Sequence, residues 1–205
     1  MSHNMSHNID HIFYINLERR IDKREEVERE LHDFGLVGER FDAIYHKEGI
    51  IGCSKSHLEV LKLAKARGYK NVLILEDDFM FLVSKEEFER ELTTFFDSGL
   101  DFDVCFLSYY VLQSQELENS IVNRAIDVQT ASGYIVNAHY LDKLITLYEE
   151  TSRLLEETCM HWLYANDMSW KRYQPTDNWY YFKTRIGKQR AGISDNTGTY
   201  ADYGI

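Results

Sequence analysis

Three consecutive carboxylates, Glu76, Asp77 and Asp78, end the stretch KNVLILEDD (residues 70–78). Adjacent acids repel one another unless positive charge lies between them. Carboxylate oxygens suit hard divalent cations such as Mg²⁺ and Mn²⁺, and these cations also bind phosphates. The triplet therefore indicates a metal-assisted phosphate site, with a solvated acidic turn as the alternative.

A basic cluster follows an earlier apolar segment, His11–Leu17, in an otherwise acidic protein. Guanidinium groups beside a strand end suit the phosphates and ribose of a nucleotide, so Arg19 and Arg20 are the better candidates. Lys23 and Arg24 lie further along a predicted helix, and we interpret them as solvated residues paired with nearby glutamates.

His57 lies near the start of another predicted helix, where free backbone amides are able to hold an anion. On the same stripe as Leu61 and Ala64, it is predicted to face inward, and a lone helical histidine is more often structural than catalytic. Ser54 or Ser56 is predicted to cap this helix, which begins at Gly52 and ends at Gly68.

These residues need a scaffold in which strands end at one edge. Periodicity predicts strands at 11–17, 39–45, 72–75, 102–108, 121–130 and 133–136, and helices at 18–35, 52–68, 85–96 and 138–150. Residues 111–120 are predicted to form a loop, and residues 159–182 are predicted to be irregular and aromatic. The Gly-rich tail from Lys183 is predicted to be either a lid over the ligand or a frayed terminus. Strand–helix alternation predicts an α/β fold with a mainly parallel sheet, in which ligands bind where strands end. No GxGxxG or P-loop motif follows a strand.

The overall composition and charge of the chain limit the partners that it is expected to bind. The chain has 205 residues, 44% of them hydrophobic, and a net charge of −11, which argues against nucleic acid or an anionic membrane as the main partner. Three cysteines without metal-like spacing suggest reduced thiols. The polar repeat at the N-terminus predicts a disordered tail over residues 1–9, and no run approaches the ~18 apolar residues of a membrane span. We therefore expect a soluble, cytoplasmic protein.

Four segments occur in the order YINLERRIDKREEVERELHDFGL, ERFDAI, GCSKSHLEVLK and VLILEDD. Together they closely resemble glycosyltransferase family 25, which includes lipooligosaccharide and procollagen galactosyltransferases. Each motif is weak alone, but four in this order and spacing are specific. Gly133-Tyr134 and Ser194-Asp195 are also similar, so the resemblance spans roughly residues 10–197.

The resemblance implies one GT-A domain over residues 10–205, with a donor half at 10–110 and an acceptor half and closing tail at 111–205. It implies inverting transfer of galactose or glucose from a UDP-sugar, with Mn²⁺ or Mg²⁺, to a hydroxyl of a glycan or glycoprotein. Collagen is not implied as the acceptor, because procollagen-type members carry more chain.

Residues of this chain are matched to the site residues of the family by their positions in these motifs. Asp78 matches the direct metal ligand, while Glu76 and Asp77 are expected to reach the ribose and metal-bound water, with Glu76 and Asp195 as further candidate metal ligands. The segments that cradle the nucleotide correspond to Asn16, Leu17, Arg19, Arg20, Asp42 and Ala43, with His57 as a further binding candidate. The segment that closes over the diphosphate and metal corresponds to Gln189, Ser194 and Asp195.

The chain departs from the family in two places. Ile21 stands where many members have proline, and Ala165-Asn166-Asp167 replaces a Pro-x-Asp segment. Asp167 is the predicted general base, beside tryptophans that are candidates for stacking on sugar rings (Trp162, Trp170 and Trp179); its alternative role is a helix N-cap.

Two other functions remain open from the sequence. One is a non-catalytic nucleotide-sugar binding protein on a GT-A scaffold, against which the intact acids argue. The other is a Mg²⁺-dependent nucleotidyltransferase, which would form a new phosphate linkage instead of releasing UDP.

Overall fold

The computed structural model describes residues 8–195 and 198–202. Most of the predicted disordered tail, residues 1–9, therefore lies outside the described residues. Its last two residues contact the sheet: the main-chain oxygen of Asn8 accepts a hydrogen bond from Asn71 Nδ2 at 2.8 Å, and Ile9 packs against the core. In the part of the chain that is described, no helix is long and apolar enough to cross a membrane.

A central sheet of eight strands organises the fold, in the order β2-β1-β3-β8-β5-β9-β7-β6. The strands of the described chain are β1 (His11–Asn16), β2 (Glu39–Asp42), β3 (Asn71–Glu76), β4 (Phe79–Phe81), β5 (Val104–Phe106), β6 (Tyr110–Gln115), β7 (Val122–Gln129), β8 (Gly133–Asn137), β9 (Trp179–Phe182), β10 (Gly187–Gln189), β11 (Gly192–Ile193) and β12 (Tyr200–Ala201). Only β7 and β8 oppose the other strands of this sheet, so six of its eight strands share one direction. The predicted α/β fold with a mainly parallel sheet is confirmed.

Helices cover both faces of the sheet. They are α1 (Ile21–Asp33), α2 (Gly49–Arg67), α3 (Lys85–Asp97), α4 (Leu141–Thr158) and the single turns α5 (His161–Tyr164) and α6 (Asn166–Ser169). Helices α2 and α4 pack on one face, and α1 and α3 on the other. The result is a three-layer α/β/α arrangement.

The central strands are apolar on both sides because both faces are covered. In β3, Val72 and Ile74 point into the core beneath α2 and α4, whereas Leu73 and Leu75 point into the core beneath α1 and α3. All four side chains are 0% exposed. Such a strand reads as a continuous apolar run, which is why VLIL was recognisable in the sequence.

Several helix ends carry a glycine or serine that suits a cap, including Gly68, where the sequence predicted the end of α2. Gly35, Gly68 and Gly99 adopt left-handed φ angles of +67°, +71° and +65° just after α1, α2 and α3, a conformation that favours glycine. Ser84 caps α3, since its hydroxyl accepts a hydrogen bond from the Glu87 amide at 3.2 Å.

The start of α2 differs from the prediction. The helix begins at Gly49, and neither Ser54 nor Ser56 caps it, because the N-cap position is Glu48 without a side-chain hydrogen bond. Ser56 instead ties α2 to the end of β2, accepting from the Ile44 amide and donating to the Gly52 carbonyl. Gly52 allows this approach, since a Cβ there would lie 2.4 Å from the Ile44 oxygen.

Three further predictions in the second half were wrong. The predicted loop at 111–120 contains all but the first residue of β6, a strand at the sheet edge that is exposed along most of its length and so lacks apolar periodicity. Helix α4 continues past Glu150 to Thr158, with Leu155 buried. The aromatic stretch read as irregular contains β9, whose four residues are all buried beside β5 and β7.

The tail folds back onto the first half of the chain. Strand β10 pairs with β4, which follows the acidic triplet directly, so that Gln189 aligns with Phe79. Gly187 permits the pairing, because a Cβ there would lie 2.2 Å from the Phe79 ring. A short hairpin of β11 and β12 follows. This return of the chain brings the tail to the carboxyl ends of β1 and β3.

Candidate functional site

A cleft opens at the edge of the sheet where β1, β2 and β3 end, the position expected for ligand binding in an α/β sheet. Many of the predicted binding residues line it: Leu17, Arg19, Ala43, Glu76, Asp77, Asp78, Gln189, Ser194 and Asp195. Lys23, Ile44, Tyr45, His46, Gly49 and Cys53 also line it, although they were not proposed as site residues. The cleft therefore gathers acids, bases and a tyrosine from both ends of the chain.

Asn16, at the end of β1, holds the middle acid in place. Its amide nitrogen donates to Asp77 Oδ2 at 2.7 Å and to the Arg20 carbonyl at 3.0 Å, and its oxygen accepts from Arg40 Nε at 3.0 Å. Asn16 is only 1% exposed. The residue thus fixes Asp77 and the turn that carries the arginines, instead of presenting its own side chain to solvent.

His57 supports the first acid. The ring is fully buried, with Nε2 3.1 Å from Glu76 Oε1 and Nδ1 3.0 Å from the Tyr134 hydroxyl, and Cys53 Sγ donates to the same Glu76 oxygen at 3.5 Å. Burial would raise the pKa of Glu76, but the hydrogen bond and charge of His57 outweigh it and lower that pKa. His57 therefore acts on the cleft through Glu76.

Cys53, His57 and Glu76 each bring one potential metal-ligand atom, and these atoms lie within 4.8 Å of one another. The hydrogen bonds just described account for this proximity.

The side chains of Asp77 and Asp78 are each 13% exposed, and Asp78 is held by residues of α1 and the tail. Its Oδ2 accepts from Lys23 Nζ at 3.2 Å and from Gln189 Nε2 at 3.1 Å, whereas its Oδ1 is buried without any hydrogen-bond partner. Burial and the nearby charge of Glu76 raise the pKa of Asp78. Burial likewise raises the pKa of Asp77 to about 7. An unsatisfied carboxylate oxygen at this point fits a cation ligand.

Lys23 is part of the site, and its interpretation as a solvated helix residue was wrong. It is 8% exposed, and its Nζ lies 3.2 Å from Asp78 Oδ2, 3.5 Å from Asp77 Oδ1 and 3.9 Å from Asp195 Oδ2. Lys23 shares the inward stripe of α1 with Val27 and Leu31, at i+4 and i+8, which was a sequence signal for its burial. Arg24, by contrast, forms the predicted surface pair with Glu28 at 2.8 Å.

Asp195 from the tail meets the arginines that follow β1. Its carboxylate accepts from Arg19 Nη2 at 3.1 Å and pairs with Arg20, which also binds Asp22. In this structure Asp195 thus neutralises the cationic rim of the cleft, and its expected contact with a metal stays a prediction. Tyr45 extends the same rim: it is 65% exposed, with the Arg19 guanidinium 4.8 Å from its ring centroid.

Asp42, the last residue of β2, and Ala43, which follows it, lie at the opposite wall. The Ala43 amide donates to the Asn16 carbonyl at 3.0 Å, which joins the two strand ends. The Asp42 side chain is 64% exposed and accepts from Arg40 at 2.7 Å. Ala43 lines the cleft, whereas Asp42 lies beside it and is not among the lining residues.

Asp167 lies outside the residues that line the cleft. It occupies the first turn of α6, whose N-cap is Ala165, and its Oδ2 accepts from the Thr130 amide at 3.4 Å. The alternative role as an N-cap is therefore not observed. Burial raises the pKa of Asp167, and the negative charge of Glu76 adds to the rise, so the two carboxylates interact electrostatically.

Two of the three tryptophans are unable to stack on a sugar. Trp170 and Trp179 are 0% exposed and pack edge to face with ring centroids 5.3 Å apart, so they belong to the core. Trp162 on α5 is 56% exposed. Of the three, Trp162 alone stays a candidate for an acceptor contact.

Comparison with solved structures defines the class of fold. The chain matches a glycosyltransferase described as involved in glycosylation of the major capsid of PBCV-1, with a TM-score of 0.54, 12% identity and coverage of 89% of this chain and 93% of that one. At this identity the likeness speaks for the fold alone. The architecture is that of a GT-A-type α/β protein, as the sequence predicted.

Sequence similarity to curated proteins adds a family to the class of fold. A "Glycosyltransferase 25 family member" of Drosophila melanogaster is 33% identical over 101 residues, covering 36% of this chain and 16% of the relative. "Procollagen galactosyltransferase 2" of Homo sapiens is 25% identical over 173 residues, covering 66% of this chain and 27% of the relative. No protein-family model matches. The resemblance to glycosyltransferase family 25 is confirmed, at modest identity, and the chain spans less than a third of either relative.

Proposed function

We propose that the protein is a metal-dependent inverting glycosyltransferase that moves a hexose, galactose or glucose, from a UDP-sugar to a hydroxyl of a glycan or glycoprotein. The observation that carries the proposal is the convergence of the acidic triplet, the cations of α1 and its preceding turn, and the returning tail on one cleft. The names of the curated relatives support the same reaction class.

The cationic rim suits a diphosphate. Arg19 and Arg20 carry planar guanidinium groups that match phosphate oxygens, and both are at present engaged by the Asp195 carboxylate. A diphosphate entering the cleft would replace one anionic partner of these arginines with another. Leu17, Ala43 and exposed Tyr45 offer apolar and aromatic surface beside the rim for the nucleoside.

The carboxylates suit a hard divalent cation. Asp78 has a buried oxygen without a partner, and Glu76 and Asp195 lie on the same cleft, so these three would hold Mn²⁺ or Mg²⁺. When bound, such a cation acts as a Lewis acid that stabilises negative charge on the departing diphosphate. His57 and Asn16 hold Glu76 and Asp77 in fixed orientations for this purpose.

The reaction itself needs one base. The acceptor hydroxyl oxygen bonds to the anomeric carbon, its proton passes to a carboxylate, and the bond from that carbon to the diphosphate breaks with its electron pair on UDP. We assign the base to Asp167. Burial raises the pKa of Asp167 above that of an ordinary aspartate, and so toward neutral pH. A general base is most effective when its pKa lies near the pH at which the enzyme works.

A thermal-shift panel tests the donor assignment. UDP, UDP-galactose, UDP-glucose and the matching ADP and GDP compounds are each added with and without Mn²⁺. We expect UDP compounds with Mn²⁺ to raise the melting temperature most, because a ligand that binds only the folded state stabilises it. A response to ADP equal to that of UDP, or no response to any nucleotide, would contradict the proposal.

A further inference from the structure

A lysine ammonium lies among the carboxylates of the acidic cluster, which comprises Asp77, Asp78 and Asp195. Lys23 Nζ is within 4 Å of carboxylate oxygens from Asp77, Asp78 and Asp195, which come from two distant parts of the chain. Since the side chain is only 10% exposed, these contacts are shielded from solvent and salt. The contact is therefore built into the folded core of the cleft.

The surrounding residues keep this arrangement in place. Asn16 fixes Asp77, Gln189 fixes Asp78, and the buried stripe of α1 fixes the stem of Lys23. Asp78 Oδ1 still lacks a partner, so the lysine leaves part of the cluster unsatisfied. The cluster is thus partly neutralised by the protein itself.

We propose that Lys23 is the resident counter-ion of the acidic cluster and keeps its affinity for a divalent cation low in the nucleotide-free protein. This inference rests on the proposed function for its purpose. A phosphate-bearing donor offers the ammonium a new anionic partner, which frees the carboxylates for the cation. Lys23 is in this sense a positioning residue that acts through Asp77 and Asp78.

The positive charge of Lys23 determines how its removal changes the affinity of the cluster for a divalent cation. Removing one positive charge a few ångströms from the carboxylates strengthens their attraction for a divalent cation, and the attraction is large because the site is poorly solvated. The matched control is Arg24→Met, which removes a positive charge from the same helix turn. Arg24 pairs with Glu28 on the surface of α1, where both side chains are more than 40% exposed.

The test is direct titration of nucleotide-free protein with Mn²⁺, in which free Mn²⁺ is measured by electron paramagnetic resonance. We expect Lys23→Met to bind Mn²⁺ at least about tenfold more tightly than the wild type. Lys23→Arg, which keeps the charge, and Arg24→Met should both stay within about twofold of the wild type. A rise in melting temperature on adding Mn²⁺ should also be larger for Lys23→Met than for the wild type.

Equal or weaker Mn²⁺ binding by Lys23→Met, or tight binding by Lys23→Arg, would overturn the inference. If Lys23→Met fails to fold, Lys23→Gln takes its place with the same expected result. The titration contains no nucleotide, so its outcome is independent of the thermal-shift panel. If no nucleotide raises the melting temperature but Lys23→Met binds Mn²⁺ more tightly than the wild type, the donor assignment is overturned and the role of Lys23 is supported.

Discussion

At the scale of single residues, the three acids of the triplet have different surroundings. Glu76 is held by His57, Asp77 by Asn16, and Asp78 by Gln189 and Lys23. The triplet and its strand were recognisable in the sequence because both are local. The partners were harder to assign, because they come from positions 19 to 111 residues away and depend on how α1, α2 and the tail pack.

Replacing the proposed base tests the chemistry apart from donor binding. We expect Asp167→Asn to lower turnover by about 10²–10⁴-fold, the usual contribution of general-base catalysis, with little change in UDP affinity. The measurement is steady-state turnover beside calorimetric titration with UDP. Asp142→Asn, an exposed acid on α4, is the control and should leave both values unchanged. Unchanged turnover in Asp167→Asn would remove Asp167 from the mechanism.

At the scale of elements, prediction succeeded where pattern and burial agree. Strands β1 and β3 are buried on both faces, and α2 ends at the expected glycine, Gly68. Strand β6 was missed because an exposed edge strand needs no apolar alternation, so its polar sequence resembles a loop. The site depends on such an unpredicted contact, since the pairing of β10 with β4 brings Gln189 to Asp78.

One junction between elements gives a pH-dependent prediction. Asp177 accepts hydrogen bonds from Lys143 at 2.5 Å and from Tyr140, whose hydroxyl also accepts from the indole of Trp179. Burial would raise the pKa of Asp177, but the hydrogen bonds from Lys143 and Tyr140 outweigh it and lower that pKa. Because the folded-state pKa lies below the unfolded value, this stabilisation is present above about pH 4 and is lost at lower pH.

We therefore expect Asp177→Asn to reduce the free energy of unfolding at pH 7 by about 1–2 kcal/mol, since a charge-assisted hydrogen bond is lost. The difference from the wild type should narrow below about pH 4, as Asp177 becomes protonated in the wild type. Urea unfolding between pH 3 and pH 7 measures this. Exposed Asp97→Asn is the control. A gap between wild type and variant that widens toward low pH would contradict the account.

At the scale of the whole molecule, the two ends of the described chain meet at one edge of the sheet. Arg19 and Asp195 are 176 residues apart in sequence and 3.1 Å apart in space. Composition and periodicity predicted the α/β class, and the family resemblance pointed to the residues of the cleft. The burial of Trp170 and Trp179 and the entry of Lys23 into the site follow from packing across distant segments, which single-sequence patterns do not encode.

We propose that this cleft binds a nucleotide-sugar and releases UDP. The most direct measurement is Mn²⁺-dependent release of UDP from UDP-galactose and UDP-glucose, with simple sugars as acceptors, for the wild type, Asp78→Asn and exposed Asp97→Asn. We expect UDP release by the wild type and Asp97→Asn, loss of at least about 10²-fold in Asp78→Asn, and loss in chelator. Release of pyrophosphate instead of UDP, or full activity of Asp78→Asn in chelator, would contradict the account.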